Sequence, residues 1–362
     1  MGSGVWLFQH HDRTGKKQRG TWLACLQTIL LRAMNRILIA MLVMHVTYPG
    51  DRENTSGVLA SEPLKLQSRS GVSDSLETQI RMRVAAIPGA AVGVAYANRS
   101  NGQSLYINAD TSFHAASTMK VPVMIEIFRR VDAGQAALDQ GILLVNQFGS
   151  IVDGSPYSLD PAEDSDSTMY HQIGKRVALR ELLERMIVRS SNLATNAVIA
   201  LAGGEQVTAT MRNLGARAIQ VRRGVEDGKA YERGLNNTTT ARDLAIIMAS
   251  VEEGNAASRA SCAAMREILL RQEFNDEIPA GVPKGVKVAH KTGQITATLH
   301  DAAIIYPENG GSYVLVVLTG GISDEKVARS LIADISKVVW LYDAGLQGAR
   351  SRADVNGESR RD

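Results

Sequence analysis

Strand-like apolar segments are confined to two widely separated parts of this chain. In Ala91–Ala97, Val92, Val94 and Tyr96 alternate with small residues, and Ser104–Ile107 follows across the turn Asn98–Gly102, which predicts a strand pair. Strand-like apolar segments return only near the other end, in Val286–His290, Ala302–Tyr306 and Tyr313–Thr319. Between them the periodicity is helical: the apolar run Val121–Phe128, then Leu179–Val188, Leu193–Ala202, Thr240–Glu253 and Ala257–Arg271. Ser75–Val84 ahead of the first strand and Asp324–Tyr342 after the last also read as helices. Strands at both ends with helices between imply one sheet in which the first and last segments meet, beside an inserted all-helical region.

The chain has 362 residues, 44% hydrophobic and 21% charged, ordinary for a globular protein with a sizeable core. Its net charge of +3 is unevenly placed: residues 1–36 hold six basic residues against Asp12 alone, a local +5, so the remainder carries −2. A body of that sign is not a nucleic-acid binder. Met34–Val46, a positive start followed by about ten apolar residues, reads as a secretory signal too short to span a bilayer. Met34 is the alternative start of the chain, and Val58-Leu59-Ala60 offers a cleavage site. The organisation expected is a leader over 1–60 with its signal-like core at 34–46, a linker over 61–73, a folded domain over 74–346 and a disordered polar tail over 347–362. The protein is then periplasmic or secreted, meeting a membrane only through the leader; an uncleaved, tethering leader is the alternative. Cys25 and Cys262 fall on either side of that cleavage, so the body holds no disulfide and no zinc cluster, and Cys262 reads as a buried thiol.

Three short motifs carry chemistry. Ser117 and Lys120, at the head of the apolar helix, are three residues apart and share a face. A serine hydroxyl is a weak nucleophile until a base accepts its proton, and a lysine amine in a dry pocket becomes neutral and can do so. Alone the pair means little, since a Ser-x-x-Lys turns up about once in any chain of this size. Its weight comes from Ser190-Ser191-Asn192, just before a helix where Ser and Asn also serve as caps, and from Lys291-Thr292-Gly293 at a strand end. There a cation and a hydroxyl suit a carboxylate, and a glycine admits a close backbone.

In this order and at these intervals the motifs resemble those of the class A serine β-lactamases and their relatives the penicillin-binding proteins. The likeness covers about residues 74–345. It includes Ser117–Gln135, similar to the nucleophile helix, and Asn237-Thr238-Thr239-Thr240-Ala241, similar to the close of the Ω-loop. It implies an α/β (α+β) sandwich, a five-stranded antiparallel sheet from both chain ends with an inserted all-α lobe. It further implies Ser117 as the acylated nucleophile and Lys120 as its base. Ser190 becomes the proton shuttle, Asn192 the holder of the substrate amide, and Lys291 and Thr292 the carboxylate site with Gly293 beside them. The N–H groups of Ser117 and Gln294 become the oxyanion hole. The substrate is then a β-lactam or a cell-wall peptide, the enzyme is a monomer, and neither cofactor nor metal is called for.

Several positions depart from that pattern. Ser191 replaces the usual aspartate, a buried structural carboxylate. Asp301 stands where many relatives carry a carboxylate-binding arginine, reversing the local charge. Asn237 replaces an aspartate that ion-pairs across the Ω-loop neck, so that lock looks absent. His290, His300 and Asp301 read as a local polar network rather than a metal site. Two glutamates compete for the deacylating base. Glu232 matches the family string, with Leu235 and Asn236 three and four residues on, but stands only six residues before Thr238. Glu226 follows Ser190 by 36 residues, the family interval, and is preferred on geometry, with Asn236 helping to hold the water. A D-Ala-D-Ala peptidase or other amide or ester hydrolase on the same scaffold is the alternative. A non-catalytic cell-wall binding module would not need the complete set Ser117, Lys120, Ser190 and Lys291.

Overall fold

The computed structural model describes residues 73–308 and 311–358; the leader, its signal-like core and the linker up to residue 72 lie outside the described residues. Helix α1, Ser73–Ala85, leads into strands β1, Ala91–Asn98, and β2, Gln103–Ile107. The chain then crosses to a helical lobe: α2, Lys120–Asp132; α3, Leu179–Val188; α4, Asn192–Ala202; α5, Gly204–Asn213; α6, Ala241–Glu252; and α7, Arg259–Leu269. It returns as β3, Lys287–Ile295, β4, Thr298–Tyr306, and β5, Tyr313–Gly320, and ends in α8, Glu325–Glu358.

Among the described residues the main sheet has five antiparallel strands in the order β2-β1-β5-β4-β3. The first and last strands of the sequence meet where β1 pairs with β5, from Ala91 opposite Gly320 to Asn98 opposite Tyr313. The expected sandwich is therefore the observed fold. Period-two alternation explains why it needs two cover layers. Val92, Val94, Tyr96, Leu315 and Val317 face α1 and α8, where they meet Leu76, Ile80, Leu331, Ile332 and Ile335. Ala95, Val314, Val316 and Leu318 face the lobe and join a second core with Met124, Ile127, Leu244 and Met248. Each such Leu, Ile or Val stabilises the fold by about 1.5–3 kcal/mol on burial. Cys262 lies fully buried in this second core.

Helix α2 is apolar almost all round because it runs through the middle of the lobe. Its polar residues are each partnered. Glu126 accepts from Arg130 (2.7 Å) and from the Thr210 hydroxyl (2.6 Å). Arg130 also donates to the carbonyls of Leu201 and Ala202, closing the C-terminal end of α4. The nucleophile helix and the helix after Ser190 are thus tied at their far ends.

Two boundaries differ from expectation. Strand β3 does not stop at His290 but runs through Lys291-Thr292-Gly293 to Ile295, because the nucleophile turn packs along it and buries residues that look like a polar strand end. Helix α8 does not stop at Tyr342; it continues through most of the tail expected to be disordered, to Glu358. No helix among the described residues is long and apolar enough to cross a membrane.

Candidate active site

The nucleophile sits at a sharp reversal. Phe113–His114 pairs antiparallel with Thr238–Thr239, and the Ala115 N–H donates to the Asn237 carbonyl (2.8 Å). Ala116 then adopts φ +46°, a conformation that a side chain disfavours. Its N–H donates to His114 Nδ1 (3.0 Å), and the Thr118 hydroxyl donates to the Ala115 carbonyl (2.5 Å). A 3-10 turn, Ala116–Met119, carries Ser117 to the cleft and delivers Lys120 as the first residue of α2. Gly293 of β3 faces this turn. A Cβ there would lie 3.1 Å from the backbone nitrogens of both Ser117 and Thr118, so only glycine lets the edge strand come this close. From behind, His300 fixes the same turn. Its ring is held neutral, pushed down to about 4 by burial, with Nε2 against the His114 carbonyl (2.9 Å) and Nδ1 between the Leu299 carbonyl (2.8 Å) and Thr319 N (3.2 Å).

Lys120 and Lys291 are both fully buried and converge on one hydroxyl. Lys120 Nζ donates to Ser190 Oγ (3.0 Å), to the Ser190 carbonyl (2.5 Å) and to Asn192 Oδ1 (3.1 Å). Lys291 Nζ donates to Ser190 Oγ (3.1 Å) and to the Thr292 carbonyl (2.8 Å). Burial, then the charge of Lys291, hold the Lys120 amine well below the usual lysine range; Asp164 and Glu226 oppose the shift. Burial brings Lys291 down to about 7, against the pull of Asp301 and Glu277. Ser190 itself has φ +57°, a second residue held in the left-handed region.

Asn192 links this cluster to the loop over residues 220–238. Its Oδ1 accepts from Lys120, so its Nδ2 donates, to Glu226 Oε1 (2.9 Å). Glu226 stands open to the cleft with φ +62°. Partial desolvation raises its carboxyl above the ordinary glutamate value, although the Asn192 hydrogen bond pulls the other way. Asn196, one turn further along α4, takes both sides of the preceding residue: its Oδ1 accepts from Val225 N (2.7 Å) and its Nδ2 donates to Val225 O (3.0 Å). Asp227 accepts from the Ser150 hydroxyl (2.8 Å) and from Ile151 N (2.9 Å). Glu232 is exposed, at the end of a one-turn helix, Gly228–Glu232, and does not line the cleft.

The cleft encloses about 960 Å³, and Ser117, Ser190, Asn192, Glu226, Thr292 and Gln294 all line it. Asn236 does not: its Oδ1 accepts from Arg223 (3.0 Å). The expected network of His290, His300 and Asp301 divides in two, since His300 and Asp301 are adjacent on β4 and point to opposite faces. Asp301 is fully buried, accepting from Ile278 N (3.0 Å) and contacting His290 Nδ1 (3.0 Å), so it presents no reversed charge to the cleft. The loop lock is not absent either. Asn237 Oδ1 accepts from the N–H groups of Arg222 (2.7 Å) and Arg223 (3.1 Å), and its Nδ2 donates to Arg223 O (2.9 Å), a neutral clasp in place of an ion pair.

Sequence reasoning missed four residues of the site region. Asn196 repeats Asn192 at helical spacing, a signal that was there to be used. Asp164 accepts from the backbone of Asn192 and Leu193. Arg329 of α8 and Glu277 pair at 3.3 Å and both line the cleft. No local pattern marks these three.

Residues 75–343 match the sequence profile of the Beta-lactamase enzyme family. A Beta-lactamase of Bacillus licheniformis is 28% identical over 296 residues, 77% of this chain and 86% of the relative. Among solved structures, an acyl-enzyme complex of a PBP-A mutant with penicillin G is 27% identical. It aligns with a TM-score of 0.65 over 75% of this chain and 97% of its own. A beta-lactamase from Sphaerobacter thermophilus is 29% identical, with a TM-score of 0.62 over 75% and 98% of the two chains.

Proposed function

The chain belongs to the beta-lactamase enzyme family, and from that premise we propose that it is a serine hydrolase of the class A type, opening a β-lactam ring through an acyl-enzyme on Ser117 that water then releases. The observation that carries this reading is the Ser190 hydroxyl held between two buried amines, 3.0 Å from Lys120 and 3.1 Å from Lys291. Binding alone has no use for that arrangement. In the proposed reaction Lys120, having given up one of its three N–H contacts to become a neutral amine, accepts the proton of Ser117 Oγ as that oxygen attacks the lactam carbonyl. The N–H groups of Ser117 and Gln294 receive the developing oxyanion, a contribution of about 3 kcal/mol per donor. As the C–N bond breaks, the Ser190 hydroxyl passes a proton to the lactam nitrogen and is reprotonated from the lysine beside it. Thr292 and Lys291 take the substrate carboxylate, and Asn192 its amide side chain. Glu226 then draws a proton from the attacking water.

Incubation with benzylpenicillin should add one ligand mass to the intact protein, and Ser117→Ala should abolish the adduct. An adduct that survives in Ser117→Ala, or maps to Cys262, rejects the mechanism. Glu226→Gln should still acylate but should release the adduct roughly 10²- to 10⁴-fold more slowly, the usual contribution of a general base; Glu232→Gln should turn over as the wild type does.

One observation favours a second reading, a peptidase-like enzyme that acylates and then holds the adduct. The residues three and four after Glu226 are Lys229 and Ala230, and Asn236 is occupied by Arg223. The asparagine that follows the base in the family string therefore has no counterpart four residues after Glu226. A wild-type adduct that persists for hours, and is no longer-lived in Glu226→Gln, selects this reading.

A further inference from the structure

The turn that presents Ser190 and Asn192 is held by a residue outside its own motif. Ser191 is fully buried and its hydroxyl is already used, accepting from Ala194 N (3.2 Å) as the N-cap of α4. That leaves the first-turn N–H groups of Asn192 and Leu193 without a partner in the helix. Asp164, 28 residues before Asn192 and itself buried, takes both. Asn192 N donates to Oδ1 and Oδ2 (3.0 Å each), and Leu193 N donates to Oδ2 (2.9 Å). The same carboxylate accepts from Asp166 N (3.0 Å) and the Tyr170 hydroxyl (3.1 Å). Asp166 is anchored in turn by Arg185 of α3 (3.0 Å), so Asp164 is not free to drift. Its neighbours Glu163 and Ser165 line the cleft wall.

We propose that Asp164 is the positioning residue of the proton-transfer turn, supplying from the segment ahead of α3 the buried carboxylate that position 191 no longer provides. The proposal rests on the hydrolase reading above. Its physical basis is convergence. Ser190 is held at φ +57° while its carbonyl, its hydroxyl and the Asn192 amide all point at Lys120. A left-handed serine persists only where flanking bonds over-determine it. Downstream, those bonds are the two N–H groups bound to Asp164. A carboxylate suits them because they open the positive end of a helix.

Two arms on the full-length protein test this. In the first, acylation by benzylpenicillin is timed by intact mass for the wild type, Asp164→Asn, Asp164→Ala and the double variant Asp164→Ala/Ser191→Asp. Losing a hydrogen bond to a charged group predicts roughly 10- to 100-fold slower acylation in Asp164→Ala. The double variant should recover at least tenfold of a hundredfold loss, because an aspartate at 191 can cap the same turn. Rescue from another sequence position is something a merely structural loss would not show. Wild-type rates in Asp164→Ala and Asp164→Asn, or slowing without rescue in the double variant, overturn the proposal. In the second arm, amide exchange over residues 190–195 is followed without substrate. Faster exchange in Asp164→Ala, reversed in the double variant, supports the hold on the turn, and unchanged exchange overturns it. If the wild type forms no adduct on Ser117, the hydrolase reading fails by itself, and the exchange arm still decides whether Asp164 holds the turn.

Discussion

Asn237→Ala should loosen the loop that carries Glu226 while leaving the nucleophile in place. Asn237 is buried and makes three hydrogen bonds to the opposite side of the loop neck, accepting from Arg222 N and Arg223 N and donating to Arg223 O. Removing them at about 0.5–1.5 kcal/mol each gives a loss of roughly 2–4 kcal/mol. Arg222 is exposed, so water can recover part of its N–H, and the lower half of that range is expected. The remaining ties should keep the loop from detaching: the bridge between Gln220 and Thr238 (2.9 Å both ways), the Asn196 grip on Val225 and the Asp227 bonds to Ser150 and Ile151. About 2–3 kcal/mol corresponds to local opening roughly 30- to 150-fold more frequent. Hydrogen exchange of peptides spanning 220–238 reads this directly, with exchange in α2 as the internal control. Acylation should be nearly unchanged and deacylation slower, because the opened loop displaces Glu226 and not Ser117. Unaltered exchange over 220–238 in Asn237→Ala would refute the argument that this neutral clasp closes the loop.

Lys291→Ala should move the acid limb of acylation to higher pH. Lys291 depresses the Lys120 amine, so its loss lets that value rise, and the base form of Lys120 is lost as pH falls through it; a limb that stays put or moves down contradicts the charge coupling. Asp301→Ala should lower stability by roughly 2–4 kcal/mol in chemical denaturation, because it strands the buried Ile278 N–H and the His290 ring, and Asp301→Asn should lose less. Export is proposed from the signal-like core at Met34–Val46, so mass spectrometry of the exported protein should find an N-terminus between about residues 47 and 61, whereas the intact chain in the cytosol would contradict it.

The residues proposed to react were legible because their spacing is local or their chemistry is rare. Ser117 and Lys120 are set by one turn of helix, and Lys291 by the apolar strand segment Val286–His290 just ahead of it. Glu226 could be preferred to Glu232 by distance along the chain alone, and the Asn192 contact agrees with that choice. What the sequence hid is contact across sequence distance. Asp164 meets Asn192 over 28 residues, and Arg329 meets Glu277 over 52. The length of β3 was hidden for a related reason. Lys291-Thr292 looks like a solvated strand end, and only packing against the nucleophile turn makes it a buried edge.

The three departures from the family motif share a physical logic. Ala116, Ser190 and Glu226 all occupy the left-handed region, at a cost of about 1–3 kcal/mol each. They are the residues that turn Ser117, the shared hydroxyl and the candidate base toward the cleft. Strain of that kind survives only under restraint from neighbouring bonds. The Ala116 N–H is taken by His114, the turn after Ser190 by Asp164, and Glu226 is bracketed by Asn196 on one side and Asp227 on the other. Position 191, position 237 and position 301 belong to restraints or to the layer behind them. A restraint needs only an acceptor or donor at the right point in space, which another element can supply: Asp164 stands in for a carboxylate at 191, and a neutral clasp at Asn237 for an ion pair. A reacting group has no such freedom, because attack and proton transfer demand a hydroxyl, an amine or a carboxylate at that very atom. Ser117, Lys120, Ser190 and Lys291, the groups proposed to attack, to carry protons or to meet the substrate carboxylate, therefore match the motif pattern while the restraints around them differ from it.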